Sequence, residues 1–137
     1  MMISSNIAKV VISGTFRKSF QSLQQQYLEL LDTNCQILSP RSIDFDDETF
    51  VRSKGERELQ VKTIQDNHLA AIQEADFMWL HCPDGYVGKS GAFEVGYAHA
   101  RGIPVFSNHQ PSDEMLREYV TVCHSVYGAK QLVLSRG

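Results

Sequence analysis

The sequence predicts an α/β protein: a single-domain, three-layer α/β/α arrangement around a doubly wound, parallel sheet of about five strands. Three observations carry this. Short apolar, β-branched segments alternate with longer segments of helical spacing along the chain. The strand segments are apolar at consecutive positions, as strands covered on both faces must be. Glycine, proline and short polar runs separate them.

AKVVISG (8–14) is the first strand, stopped by Gly14. Residues 19–33 form a helix with Phe20, Leu23, Tyr27, Leu30 and Leu31 at helical spacing. CQILSP (35–40) is a second strand ended by proline, and RSIDFDDETFVRSKG (41–55) is a polar, acidic loop. A helix over 56–75 places Leu59, Ile64, Leu69 and Ile72 on its apolar side, with Val61 breaking the stripe. DFMWLHC (76–82) is the third strand, and Trp79 in its middle is assigned to the core. A glycine-rich loop leads to a helix over 91–101, closed by Gly102 at the C′ position. IPVFS (103–107) is the fourth strand, SDEMLRE (112–118) a short helix with Ser112 as N-cap, and YVTVC (119–123) the fifth strand. The tail SVYGAKQLVLSRG fits either a short helix or another strand. The chain thus reads as one domain over 1–137.

Composition narrows the function classes. The 137 residues are 42% hydrophobic and 21% charged, with a net charge of −3. That balance argues against a broad basic face for nucleic acid but leaves room for a small anionic ligand. Cys35, Cys82 and Cys123 stand far apart, with no CxxC spacing, so neither a disulfide framework nor a zinc site is expected. HExxH is absent and His99 and His109 lack ligand spacing, so no metal or cofactor is predicted. No apolar run approaches the roughly 20 residues of a membrane span. MMISSNIAKVVISG is too short in its apolar part for a signal peptide, so the protein is expected to be soluble and cytoplasmic.

In a sheet of this kind the ligand lies at the carboxyl ends of the strands, beside the switch in strand order. Three loops leaving those ends look chemical: SGTFRKS (13–19), SPRSIDFDD (39–47) and PDGYVGKSG (83–91). In SGTFRKS (13–19), Gly14 lets backbone approach a ligand, Thr15 offers a hydroxyl, and Arg17 and Lys18 offer charge before a helix N-terminus. An ordinary strand-to-helix turn with solvated basic residues explains the same pattern. Neither GxxxxGK[ST] nor GxGxxG is present. In PDGYVGKSGAFE (83–94), Asp84-Gly85 makes a tight turn, Gly88 and Gly91 leave open backbone, and Ser90 is placed to cap the next helix. Phe16 and Tyr86, both in loops, are candidates to stack on a flat ring.

Glu94 is expected in the first turn of that helix, on the ligand side. It either complements the positive helix end or serves chemistry; the spacing from Ser90 is one residue too long for a capping box. The following Val95, Gly96, Tyr97 and Ala98 look buried, and a carboxylate in such a wall is costly unless paired or used. His68 sits two helical turns before the third strand, where a lone histidine is ordinarily solvated or capping. His81 and Asp84 lie nearer the strand's carboxyl end.

The segment ADFMWLHCPDGYVGKSGAFEVGYAHARGIPVF (75–106) resembles the nucleoside 2-deoxyribosyltransferase-like family, which includes nucleoside 5′-monophosphate N-glycosidases. The shared pattern is Ala75-Asp76, the glycine loop, Gly91-Ala92-Phe93-Glu94-Val95-Gly96-Tyr97-Ala98, and Gly102-Ile103-Pro104-Val105. The resemblance implies cleavage or transfer at an N-glycosidic bond, with Glu94 as the nucleophile that attacks the anomeric carbon. It implies that Gly14-Thr15-Phe16-Arg17 holds a 5′-phosphate, that the substrate is a nucleoside or nucleotide, and that the protein is a homo-oligomer. The chain departs from the family at two places: His68 stands where the family often has a catalytic Asp, and Gly88 where it commonly has Asp or Ser. His68 would then be a general acid for the leaving base, with Asp84 or Ser90 compensating at the loop. The alternative is a nucleotide-binding module without turnover. A phosphoribohydrolase of the lysine-decarboxylase-like family ranks lower, since PGGxGTxxE is missing.

Overall fold

The computed structural model describes residues 7–41, 43 and 60–135. The acidic loop expected over 41–55 lies outside the described residues, apart from Arg41 and Ile43. The elements run β1 (Ala8–Gly14), α1 (Phe20–Asp32), β2 (Cys35–Ser39), α2 (Val61–Glu74), β3 (Phe77–His81), α3 (Lys89–Ala100), β4 (Val105–Ser107), α4 (Glu114–Arg117), β5 (Thr121–Val122) and α5 (Val126–Leu134). The ambiguous tail is therefore a helix, started by Ser125, whose hydroxyl accepts from Gly128 N.

The five strands are ordered β2-β1-β3-β4-β5 and every pairing is parallel. This is the doubly wound arrangement the sequence predicts, with the switch in winding between β1 and β3. Period-two alternation assigns the strand side chains to two cores. Ala8, Val10 and Ile12 of β1 join Phe77 and Trp79 of β3, packed by Leu23 and Leu30 of α1 and by Val126 and Ala129 of α5. Val11, Met78 and Leu80 face the other way, packed by Ile72 of α2 and by Val95 and Ala98 of α3. Trp79 is fully buried, as its mid-strand position implies.

One irregularity aims a side chain. Val10 pairs with Ile37, but Val11 pairs with Ser39, so the register slips by one residue. Without that bulge Ser39 would share a face with Ile12. With it, Ser39 lies on the Val11 face, under α2 and α3.

The helix ends differ in detail from expectation. Gly102 closes α3 as predicted: with φ 75° it lets its own N–H reach His99 O and Ile103 N–H reach Ala98 O. The N-caps are misplaced by the sequence. Helix α4 is capped by Asp113, whose carboxylate accepts from Met115 N and Leu116 N, while the Ser112 hydroxyl donates to Gly85 O. Helix α3 begins at Lys89 behind Gly88, so Ser90 lies inside the helix.

Gly14 is the most tightly enclosed of the described glycines. Its φ is 102°, and a Cβ there would stand 2.2 Å from His81 O. A Cβ on Gly91 would meet Gly14 Cα at 3.2 Å, so Gly91 lets α3 settle directly on the end of β1, while Gly14 lets the end of β1 lie against His81 of β3. Gly14→Ala combines that clash with a backbone region costing a non-glycine residue about 1–3 kcal/mol. Urea unfolding should show a loss of about 2 kcal/mol or more. A midpoint indistinguishable from wild type would contradict this reading of the close β1–β3 approach at Gly14.

Candidate active site

Glu94 is the sixth residue of α3, in its second turn, not its first. It is neither a cap nor a partner of the helix end. It lies on the buried stripe Gly91, Glu94, Val95, Ala98 and is 7% exposed. A carboxylate in that position must find donors from the elements against which α3 packs. Three are present. The Ser13 hydroxyl on β1 donates to Oε1. Gln65 on α2 donates its amide Nε2–H to Oε2 at 2.8 Å. His68, one turn further along α2, brings Nε2 to 3.4 Å from Oε1.

These contacts decide the state of the carboxyl group. Burial alone would raise its pKa. The hydrogen bond and charge of His68, then the Ser13 and Gln65 hydrogen bonds, outweigh burial and hold Glu94 below the usual carboxylate range. The helix N-terminus, expected from the sequence to keep Glu94 ionised, is not needed for this. A carboxylate offers about four lone-pair sites. Ser13 and His68 occupy Oε1 and Gln65 takes one site on Oε2, so among the described residues Oε2 is the oxygen left with accepting capacity.

His68 is not a solvated or capping residue. Its side chain is 11% exposed and bridges Glu94 to Ser39, with Nδ1 2.6 Å from Ser39 Oγ. The sequence reading singled out neither Ser13, Gln65 nor Ser39. Ser13 could have been found as the polar residue sharing a strand face with Val11. Gln65 lies one turn from His68 on the same helix side. Ser39 reaches this face only through the bulge, which has no sequence signal.

A second buried network fixes the loop after β1. The Trp79 indole N–H donates to Gln26 Oε1 at 2.6 Å, and Gln26 Nε2 donates to Ser22 Oγ at 3.1 Å. Ser22 Oγ stands 3.2 Å from His81 Nε2, and His81 Nδ1 stands 2.7 Å from Thr15 O. Trp79 can only donate and the carbonyl can only accept, so the direction of the chain is set. Ser22 donates to Nε2, and His81 is neutral with its proton on Nδ1. Burial, with a smaller contribution from His109, pushes the imidazole below its ordinary pKa despite the Thr15 carbonyl.

The remaining candidates fall around this frame. Thr15 Oγ1 accepts from the backbone N–H groups of Arg17 and Lys18, at 3.3 and 3.2 Å, so the hydroxyl shapes the loop. Phe16 is half-buried and packs against the α1 and α5 core, which weakens its standing as a stacking surface. Lys18 Nζ lies 4.8 Å from the centroid of the exposed Tyr86 ring and ties the two loops together. Gly88 is the extended residue before α3, and Ser90 is exposed. Asp84 is exposed in the turn Pro83–Gly85 with φ 56° and is not among the hydrogen-bond partners of Glu94. Among the described residues no group of three or more His, Cys, Asp or Glu could hold a metal ion.

No protein-family sequence model matches the chain, and no curated protein matches it by sequence. Its fold does match solved structures. A 2-deoxyribosyltransferase from Bacillus psychrosaccharolyticus superposes with a TM-score of 0.57 at 20% identity, covering 82% of each chain. The CMP N-glycosidase BcmB of Clostridium botulinum gives 0.56 at 13% identity, covering 93% of this chain and 95% of the other. A deoxyribosyltransferase from Leishmania mexicana gives 0.56 at 15% identity, covering 93% and 97%. The chain thus has the nucleoside 2-deoxyribosyltransferase-like fold that the segment 75–106 predicts.

The depressed pKa of Glu94 links to stability with a definite sign. Its unfolded value is about 4.3, so ionisation of Glu94 contributes stability that is fully present above that pH. The contribution is lost as pH falls through the folded value. Urea midpoints of wild type and Glu94→Gln measured between pH 7 and 3 should therefore change relative to one another in one direction, wild type losing more on acidification. A difference independent of pH would contradict the donor set described for Glu94.

Proposed function

We propose that the protein cleaves or transfers at the N-glycosidic bond of a nucleoside 5′-monophosphate, with Glu94 as nucleophile. The single observation that carries this is the state of Glu94: a buried carboxylate held ionised by three donors, at the carboxyl edge of the sheet beside the β1–β3 switch. The matching fold of enzymes described as deoxyribosyltransferases and a CMP N-glycosidase supports the reaction class.

The step runs as follows. Oε2 of Glu94 attacks the anomeric carbon, the bond from that carbon to the base nitrogen breaks, and its electron pair leaves with the base. The charge of the carboxylate also favours the oxocarbenium-like transition state. Gln65 holds Oε2 in place, and Ser13 stabilises the charge on Oε1. Water or a second base then opens the glycosyl ester. The loop Gly14-Thr15-Phe16-Arg17 is assigned to the 5′-phosphate, through its backbone N–H groups and Arg17, and the exposed Tyr86 to a wall of the pocket. The anchoring of Thr15 O by His81 supports this assignment, since a loop fixed before the ligand arrives loses little entropy on binding.

Incubation with nucleosides and their 5′-monophosphates, followed by chromatography, should reveal free base, with the monophosphates preferred. Glu94→Ala should lower the rate on the order of 10³-fold or more, as removal of a covalent nucleophile does. Gln65→Leu should lower kcat while leaving KM within a few-fold, because its donor acts on the attacking oxygen. Thermal stabilisation by nucleotides without release of base would instead favour a binding module without turnover.

A further inference from the structure

Ser39 is half-buried and, among the described residues, makes the shortest contact of the His68 ring. The bulge in β2 turns it onto the α2 face, and Pro40 follows it directly. The result is a file of three side chains from three elements: Ser39 Oγ at 2.6 Å from Nδ1 of His68, and Nε2 of His68 at 3.4 Å from Oε1 of Glu94. The 3.4 Å contact is long for a hydrogen bond, so the Nε2 proton is only weakly committed to Glu94. The Nδ1 contact is short and firm.

Building on the reading of Glu94 as a glycosyl nucleophile, we infer that Ser39 is a positioning residue that keeps the Nδ1 proton of His68 in place, so that Nε2 is the atom that gives a proton to the leaving base and takes one back from the acceptor. In the first half-reaction the doubly protonated ring gives its Nε2 proton to the departing base nitrogen, while the carbon–nitrogen bond breaks and the carbon–Oε2 bond forms. The neutral ring keeps Nδ1–H on Ser39 Oγ. In the second, water attacks the anomeric carbon, the carbon–Oε2 bond breaks, and the water proton goes to the vacant Nε2. Glu94 and His68 are then both restored, and no other reactant is consumed. Nε2 is suited to both steps because it lies beside the carboxylate that carries the sugar. Ser39 supplies what the cycle needs at the far nitrogen: a neutral acceptor that stays paired in both charge states of the ring.

The test separates this inference from the reading on which it rests. Wild type, His68→Ala, Ser39→Ala and Ser39→Thr are assayed by rapid quench on the eight common ribo- and deoxyribonucleoside 5′-monophosphates and on 7-methylguanosine 5′-monophosphate, whose cationic base departs without a proton. On the unmodified nucleotide cleaved fastest, His68→Ala should lose about 10²–10⁴-fold in kcat, the usual contribution of general acid–base catalysis. On the methylated nucleotide it should release one equivalent of base per site in a burst and then stall. Sodium azide, which needs no deprotonation, should relieve the stall and yield a glycosyl azide. Ser39→Ala should reproduce the defect in weaker form with KM little changed, and Ser39→Thr should restore it. If wild type does not accept the methylated nucleotide, the pH profile of kcat on the unmodified one decides: loss in His68→Ala of the limb that falls as pH rises supports the inference, and its persistence overturns it. If wild type releases base and the His68 variant is slowed equally on both substrates without azide rescue, the role of His68 is overturned while that of Glu94 stands. If Ser39→Thr is as slow as Ser39→Ala, the role of Ser39 is overturned. Release of no base by wild type from any nucleotide overturns the reading of Glu94 and this inference with it.

Discussion

The structure turns on one constraint: a charged carboxylate on the buried stripe of a helix. Glu94 occupies a position that Val95 and Ala98 show to be core, and an ionised group there is tolerated only where donors meet it. The donors come from two other elements, Ser13 on β1 and Gln65 and His68 on α2. That requirement fixes how closely the three must pack. Gly91 allows α3 to approach β1, and the switch in strand order between β1 and β3 lies at the same spot. Packing, electrostatics and access are thus different aspects of one arrangement.

The two polar networks have opposite characters. The chain from Trp79 through Gln26, Ser22 and His81 to Thr15 has a donor-only start and an acceptor-only end. It has a single internal direction, and its cost of burial is met by complete pairing. It suits a scaffold under the loop assigned to the phosphate. The file Ser39–His68–Glu94 ends in a hydroxyl that can either donate or accept and in a carboxylate with capacity left on Oε2. In the proposed reaction only its Nε2 proton moves. A mobile group beside a rigid one is what covalent transfer at a fixed sugar requires.

How much of this was legible follows from range. The parallel sheet could be read because consecutive apolar residues in AKVVISG and DFMWLHC report burial on both faces, a local property. Glu94 could be read because a charge amid Ala, Val and Gly is a local contradiction. The caps were read less well: Ser90 and Ser112 are good cap types, yet Gly88 and Asp113 take those places. Asp84 looked catalytic from its place after β3, but the turn directs it to solvent. Ser13, Gln65 and Ser39 were not legible, since their importance lies in contacts with residues 81, 29 and 29 positions away in the chain. His68 was visible as a lone helical histidine but gained a role only through a resemblance, and its partners came from the fold.

The most direct test of the account is the identity of the sugar-bearing atom. A slow nucleotide substrate carrying fluorine on the sugar carbon next to the anomeric centre should accumulate the covalent intermediate, because fluorine destabilises the oxocarbenium-like state. Acid quenching, digestion and mass spectrometry should then find one sugar phosphate on the peptide containing Glu94, attached to that side chain. An adduct on another residue, or steady release of base with no adduct at any time, would contradict the account.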